Sequence, residues 1–427
     1  MIPKAALAGW LRRVMPATPR ERGAALWSFA YFFALLACGY VLRPLRDQMG
    51  IVGGAKNLSW MFTATFITLL VAQPLYGALV ARLPRARFIP IVYHFFAVNL
   101  LAFWLLLTFS AEKVIVARVF FVWYSVFNLF AVAVFWSFMA DLFTAEQGKR
   151  LFGFIGAGGT AGGILGSSVM IGLSKPLGPV NLLFAAVVFL ELAVFCAHRI
   201  ERLAQPQAQS APQQQRVGGN AFAGMVELLR SPYLLGVAAW VSLLSCGATI
   251  LYFAQINLVA ATVHGAAEQT QLFAKVDGVV NLLTLATQLF VTGSLLKRFG
   301  AGLMAAALPA VYVIGFAVLA ATPVLAVVLA LQVVQRWMNF AIANPARQVF
   351  FTVVGREEKY KAKNMIDVVV YRGSDALYGW VYGSLQALGL KLAAIALIAL
   401  PVAALWAALS TALGRTQERL AEKGASQ

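Results

Sequence analysis

The sequence predicts an all-α integral membrane protein with twelve transmembrane helices arranged as two six-helix bundles, and three observations predict it. The 427 residues are 61% hydrophobic and only 12% charged, with a mean hydropathy of +0.79. A soluble chain of this length keeps about a quarter of its residues charged and cannot hide so much apolar surface. The apolar residues run continuously, in windows of about 20, which is the length that crosses a hydrocarbon core at helical rise. Because a bilayer admits only helices or closed barrels, continuous rather than alternating runs select helices. One long polar interruption then divides the windows six and six.

In chain order, residues 1–23 form a lead-in with Lys4, Arg12, Arg13, Arg20 and Arg22 around a short apolar patch bearing Trp10. It lacks the compact apolar core and small-residue cleavage site of a secretory signal, so a cytoplasmic lead-in is expected. Spans begin near Ala24, Ser59, Phe88, Val114, Arg150 and Val180, giving an N-terminal bundle over 24–198. Residues 199–231 read as a linker, since QPQAQSAPQQQ has the Gln, Ala and Pro bias of a flexible connection. Within it an amphipathic segment, 221–230, leads to Ser231 and Pro232, an N-cap followed by a first helical position. The second bundle, 232–412, has spans beginning near Pro232, Gln269, Ala301, Pro323, Ala362 and Leu390, and 413–427 is a tail.

An even number of spans puts both termini on one side. The lead-in, the even-to-odd loops and the tail hold most of the 34 Lys and Arg, so that side is expected to be the cytoplasm. The net charge of +18 is then a matter of topology and of contact with anionic headgroups, and nucleic acid is not an expected partner.

The two halves carry a matching loop. Gly77-Ala-Leu-Val-Ala-Arg82 answers Gly293-Ser-Leu-Leu-Lys-Arg298, a glycine, an aliphatic pair and an arginine at equal spacing. This resembles the loop signature of the major facilitator superfamily, with Ala81 and Lys297 where an acidic residue is usual. The resemblance implies a conformational latch at Gly77, Arg82, Gly293 and Arg298, with glycine allowing close helix approach and the cation meeting a neighbouring helix end.

Between Arg150 and Ser168 lie seven glycines, of which Gly156 to Ala161 satisfies a dinucleotide fingerprint. No strand precedes it and the run sits inside an apolar span, so the match carries no such chemistry. Small residues four apart, Gly158, Gly162 and Gly166, instead predict close helix packing, and Gly379 with Gly383 repeats the device. Cys38, Cys196 and Cys246 fall in three different spans and His94, His198 and His264 are scattered. No metal-ligand spacing and no nucleophile with a base is visible, so neither an enzyme nor a cofactor is expected.

The charges inside the spans remain, and these are costly unless something offsets them. Span one ends in Arg43-Pro-Leu-Arg46-Asp47, with Arg43 and Asp47 on one face at four residues' spacing, readable either as a snorkelling interfacial pair or as a cationic lip on a cavity. Arg336 lies near the middle of span ten and Arg372 near the middle of span eleven, with Asp375 three residues on and able to pair locally. Asp277 sits in span eight and Asp367 at the start of span eleven. A purely structural pairing network is one account of these residues. The excess of arginine over carboxylate at mid-span points to the other, an anion, because guanidinium presents a planar fork of donors suited to phosphate or carboxylate.

Two stretches, RPLRDQ after span one and KYKAKNMIDVVVYRGSDA at span eleven, resemble the ATP/ADP translocase family of plastids and intracellular bacteria; the stretch from Asp141 to Arg150 with its glycine run is similar in style. That resemblance implies a twelve-span antiporter of nucleoside di- and triphosphates in a bacterial inner membrane, with Arg46 at the position of a basic residue important for transport. The expected function is therefore secondary transport of an organic anion, a nucleotide or another phosphorylated metabolite, by alternating-access exchange, in a monomer. Arg46, Arg336 and Arg372 are the expected substrate contacts, and Arg43, Asp47, Asp277, Asp367 and Asp375 the charge partners or gates. Two alternatives stand beside it. One is an exporter of amphipathic drugs or siderophore-like compounds with an aromatic cavity at Trp123, Phe127 and Tyr252; the other is a membrane protein that binds a partner without transport.

Overall fold

The computed structural model describes residues 21–82, 85–203, 223–355, 362–363 and 365–425. Most of the lead-in, most of the linker, the basic run before span eleven and the last two residues therefore lie outside the described residues. Helical segments occupy all twelve expected windows. The first six are α1 (Arg22–Val52), α2 (Leu58–Arg82), α3 (Arg85–Phe109), α4 (Lys113–Leu142), α5 (Ala145–Leu177) and α6 (Leu183–Leu203). After a short helix at Ala223–Arg230 come α7 (Pro232–Thr262), α8 (Ala266–Phe290), α9 (Thr292–Ala321), α10 (Leu325–Met338), α11 (Tyr371–Ala387) and α12 (Leu392–Ala425). Among the described residues ten helices are long and apolar enough to cross a membrane. The two windows that fall short are α8, with Glu268, Lys275 and Asp277, and α11, with Arg372 and Asp375.

The cap expected at the start of α7 is present, and two further local signals shape α5 and α9. Ser231 caps α7 by accepting from the Leu234 amide at 3.3 Å, with Pro232 at the first helical position. The start of α5 lies a turn earlier than its apolar run, because Thr144 and Gln147 close a reciprocal capping box there. Gly300, at φ +72°, breaks the segment 292–299 from the rest of α9, a conformation glycine adopts without a Cβ clash. Two π-helical turns had no counterpart in the sequence reading. One, Asn339–Ala343, continues α10 into Asn344–Phe350; the other, Met365–Val370, leads into α11. Each inserts an extra residue per turn and so re-aims the side chains that follow by about 100°.

The chain forms two compact units. The first comprises Met1–Val52, Val71–Gln214 and Gly265–Asn281; the second comprises Gly53–Leu70, Gln215–His264 and Leu282–Gln427. Unit boundaries thus fall inside α2 and α8 as well as in the linker.

In the first unit α1 is the central helix, packed on α4, α5 and α6. Its contact with α5 is a ladder of period four: a Cβ on Gly158, Gly162 or Gly166 would collide with the backbone carbonyl of Phe29, Phe33 or Ala37 respectively. This is the close packing that the glycine spacing predicts. The core beside it is aromatic, with Phe32 stacked on Phe135 at 4.3 Å and the Tyr31 hydroxyl donating to that of Tyr93 at 2.6 Å. In the second unit α9 and α12 cross so closely that Gly302 and Gly414 would each place a Cβ against the other's backbone. Trp240 of α7 fills the neighbouring core, donating to Ser410 at 2.8 Å and meeting Trp406 edge-on. The first half of α2 belongs here too. Ser59 donates to the Gly379 carbonyl at 2.8 Å, and Ser59 Oγ lies 3.1 Å from where a Gly383 Cβ would stand, so these two glycines of α11 also serve close approach.

Candidate functional site

The charges inside the spans gather into separate clusters. In the first unit, Pro44 sits inside α1 and cannot donate to the carbonyl one turn back. Arg46 then holds Asp47 at 2.8 Å and lays its guanidinium 3.8 Å from the centre of the Phe121 ring of α4. Arg43 reaches across to α8, with Nε 3.7 Å from Oδ1 of Asp277, a residue 1% exposed. Thus Arg43 and Asp47, placed on one face by their spacing, are engaged with Asp277 and Arg46. The Tyr124 hydroxyl donates to the Gly39 carbonyl at 3.1 Å and braces this end of α1 against α4. Lys275, near Asp277 in sequence, is exposed.

In the second unit the local pairing expected of span eleven is present. Arg372 Nη1 lies 3.2 Å from Asp375 Oδ2, and Asp375 Oδ1 accepts from Ser245 of α7 at 2.5 Å. A parallel bond from Ser374 to Ser242 at 2.8 Å, with Tyr378 3.3 Å from Ser242, fastens the same two helices. Both Asp375 oxygens are therefore engaged while the carboxylate is nearly buried, whereas the Arg372 side chain keeps 32% exposure. Such a carboxylate positions a cation; the cation is left able to meet a solute.

Arg336 stands in the last turn of α10, half-buried, directly before the first π-helical turn. Asp367 lies within the second such turn and pairs with Arg347 at 3.2 Å. Arg347 and Ser245 were not singled out from sequence. The signal for Arg347 was available, since Asp367 in an apolar segment calls for a cation; nothing marks Ser245 among the other serines.

The loop residues fare differently. Among the described residues a Cβ on Gly77 would meet nothing within 4 Å. Arg298 is exposed beside Phe299. The surroundings of Arg82 and Gly293 lie outside the described residues. Of the aromatic side chains of the drug-exporter reading, Trp123 stacks on Phe127 at 5.5 Å, Phe127, 1% exposed, meets Phe96 edge-on, and Tyr252, half-buried, tilts against Phe62 at 5.6 Å.

Helices of membrane-crossing length with ion pairs buried among them define a polytopic membrane protein. Residues 23–362 match the Major Facilitator Superfamily profile, and the chain belongs to that family of secondary transporters. Three solved structures share the fold. A bacterial homologue of the human lysosomal transporter Spinster, inward-facing and unoccupied, is 14% identical at a TM-score of 0.55, over 94% of this chain and 99% of its own. The nucleoside transporter NupG is 15% identical at 0.62, covering 93% and 99%. A bacterial homologue of the iron transporter ferroportin, inward-facing, is 12% identical at 0.62, covering 91% and 98%. No curated protein sequence matches the chain.

Proposed function

We propose that this transporter carries an organic anion, a nucleotide or another phosphorylated metabolite, by alternating-access exchange in a bacterial inner membrane, as a monomer with both termini in the cytoplasm and six spans on each side of the linker. The observation that carries the reading is Arg372. Its carboxylate partner is anchored from α7, yet a third of the guanidinium side chain stays exposed in a helix too polar to count among the ten apolar spans. A buried, hydrogen-bonded Asp375 keeps the cation in place between turnovers, and the remaining donors of the planar fork suit a phosphate or carboxylate. Arg46, flattened on Phe121 by Asp47, and Arg336, beside its π-helical turn, are the further proposed contacts. The pairs Arg43–Asp277 and Arg347–Asp367 serve as charge partners or gates, and Gly77, Arg82, Gly293 and Arg298 as the latch implied by the loop repeat.

Counterflow into proteoliposomes tests this. Purified protein is loaded with unlabelled ATP, ADP, phosphate or buffer, and entry of labelled ADP is followed. Uptake that needs internal nucleotide is the expected result and makes the likeness to ATP/ADP translocases functional. Absence of uptake under every loading, with the protein folded and inserted, removes the nucleotide. In the same assay Arg372→Ala is expected to abolish uptake while leaving the amount of protein in the membrane unchanged. Uptake near wild type would make Arg372 structural.

A further inference from the structure

A polar cluster in the first unit contains groups that none of the pairs above uses. Asp277 and Asn281 lie one turn apart on the same face of α8, and Asn281 is 4% exposed. Its Nδ2 is buried and has no hydrogen-bond partner among the described residues. The carboxamide occupies space that Gly163 of α5 leaves open. A Cβ there would stand 2.8 Å from Asn281 Nδ2 and 3.0 Å from the Tyr40 ring. Ser167, one turn along α5, is wholly buried with an equally unpartnered hydroxyl, and its Cβ lies 3.6 Å from where a Gly278 Cβ would be. Arg43 closes the group from α1, bound to Asp277 and 5.9 Å from the Tyr40 ring centre. Buried donors are almost always satisfied, so two unpartnered ones on facing helices, beside a cation, mark a place where a solute supplies the acceptor.

We propose that Asn281 and Ser167 form a substrate-binding subsite of the first unit. They donate hydrogen bonds to a phosphoryl, carboxylate or carbonyl oxygen of the transported anion, next to the positive charge of Arg43. Gly163 is the positioning residue, since any side chain there displaces the Asn281 amide. The inference rests on the reading that the cargo is an organic anion, but its test does not need the cargo.

In membrane vesicles of both orientations, Asn281→Cys is treated with two methanethiosulfonates of similar size, one carrying a sulfonate and the other a trimethylammonium group. Modification is read by mass spectrometry on the peptide bearing residue 281, so the native buried cysteines do not interfere. The anionic reagent is expected to react at least about tenfold faster, because the proposed subsite offers hydrogen-bond donors and the Arg43 guanidinium to an anionic group. Equal rates, a faster cationic reagent, or no reaction in either orientation overturns the proposal, the last outcome meaning a sealed or water-filled packing defect. Ser167→Cys gives the same reading if Asn281→Cys does not yield a monodisperse protein. If counterflow has found a cargo, Asn281→Ala should raise its KM by about tenfold, the loss of one hydrogen bond to a charged acceptor. Failure of counterflow removes the nucleotide and leaves the labelling result to decide the subsite.

Discussion

Single residues show what an ion pair inside a membrane protein depends on. The Arg43–Asp277 pair binds a carboxylate 1% exposed to a guanidinium on another helix of the same unit. Removing Arg43 takes the opposite charge away from the buried Asp277 carboxylate, whereas Arg43, with 30% of its side chain exposed, keeps a route to solvent when Asp277 is removed. Arg43→Leu should destabilise the protein by about 3–5 kcal/mol and Asp277→Leu by less, and the double variant should recover most of the Arg43→Leu loss. Thermal unfolding in detergent checks this, and additive losses would show that the two residues do not interact. Not every pair was equally legible. Arg372 and Asp375 are three apart, so helical periodicity alone brings them together. Arg43 and Asp277 lie far apart in the chain, and nothing in either segment names the other. Asn281 was unreadable for the same reason: its meaning comes from Gly163 on a different helix.

At the scale of elements, glycine placement sets how near two helices come. The α1–α5 ladder matches Gly158, Gly162 and Gly166 to the carbonyls of Phe29, Phe33 and Ala37, so spacing in one helix and backbone in the other share a period. Gly162→Val should therefore force the helices apart, at a cost of about 1–3 kcal/mol or more as overpacking, seen as a lowered unfolding temperature. Gly153→Ala, where a Cβ would meet nothing within 4 Å, is the control and should be near neutral or slightly stabilising. The glycine pattern was legible because helix packing is a local rule. The π-helical turns at Asn339–Ala343 and Met365–Val370 were not. Each trades local hydrogen-bond geometry for the aim of the side chains around it, and that exchange is decided by the partners those side chains find, Arg347 and Asp367 among them.

For the whole molecule, hydropathy and charge bias predict a topology that fusions can read. Alkaline phosphatase fused after residue 427 should be inactive and green fluorescent protein at the same point bright, with the opposite pattern in the loop near residue 110, between α3 and α4. Active phosphatase at the C-terminus would overturn the internal placement of the termini. The helices that cross unit boundaries, α2 and α8, depart from a simple division at the linker. Their first halves carry polar hooks, Ser59 to Gly379 in one unit and Gln271 to the Ile171 carbonyl in the other, at 2.8 and 2.7 Å. A polar side chain inside a span seeks its partner wherever that partner lies, and this overrides the order of the chain.

The amino-acid sequence by itself determined the class, the windows and the glycine ladder between α1 and α5, because hydrophobic run length and glycine spacing act over one helix. It also marked spans one, eight, ten and eleven as carrying charges that need partners. Only the tertiary structure decided which charges neutralise one another, which carboxylate is held from a second helix, and which buried amide is left waiting for a partner. Those outcomes depend on distances between side chains far apart in the chain, and electrostatics and hydrogen bonding respond to distance in space.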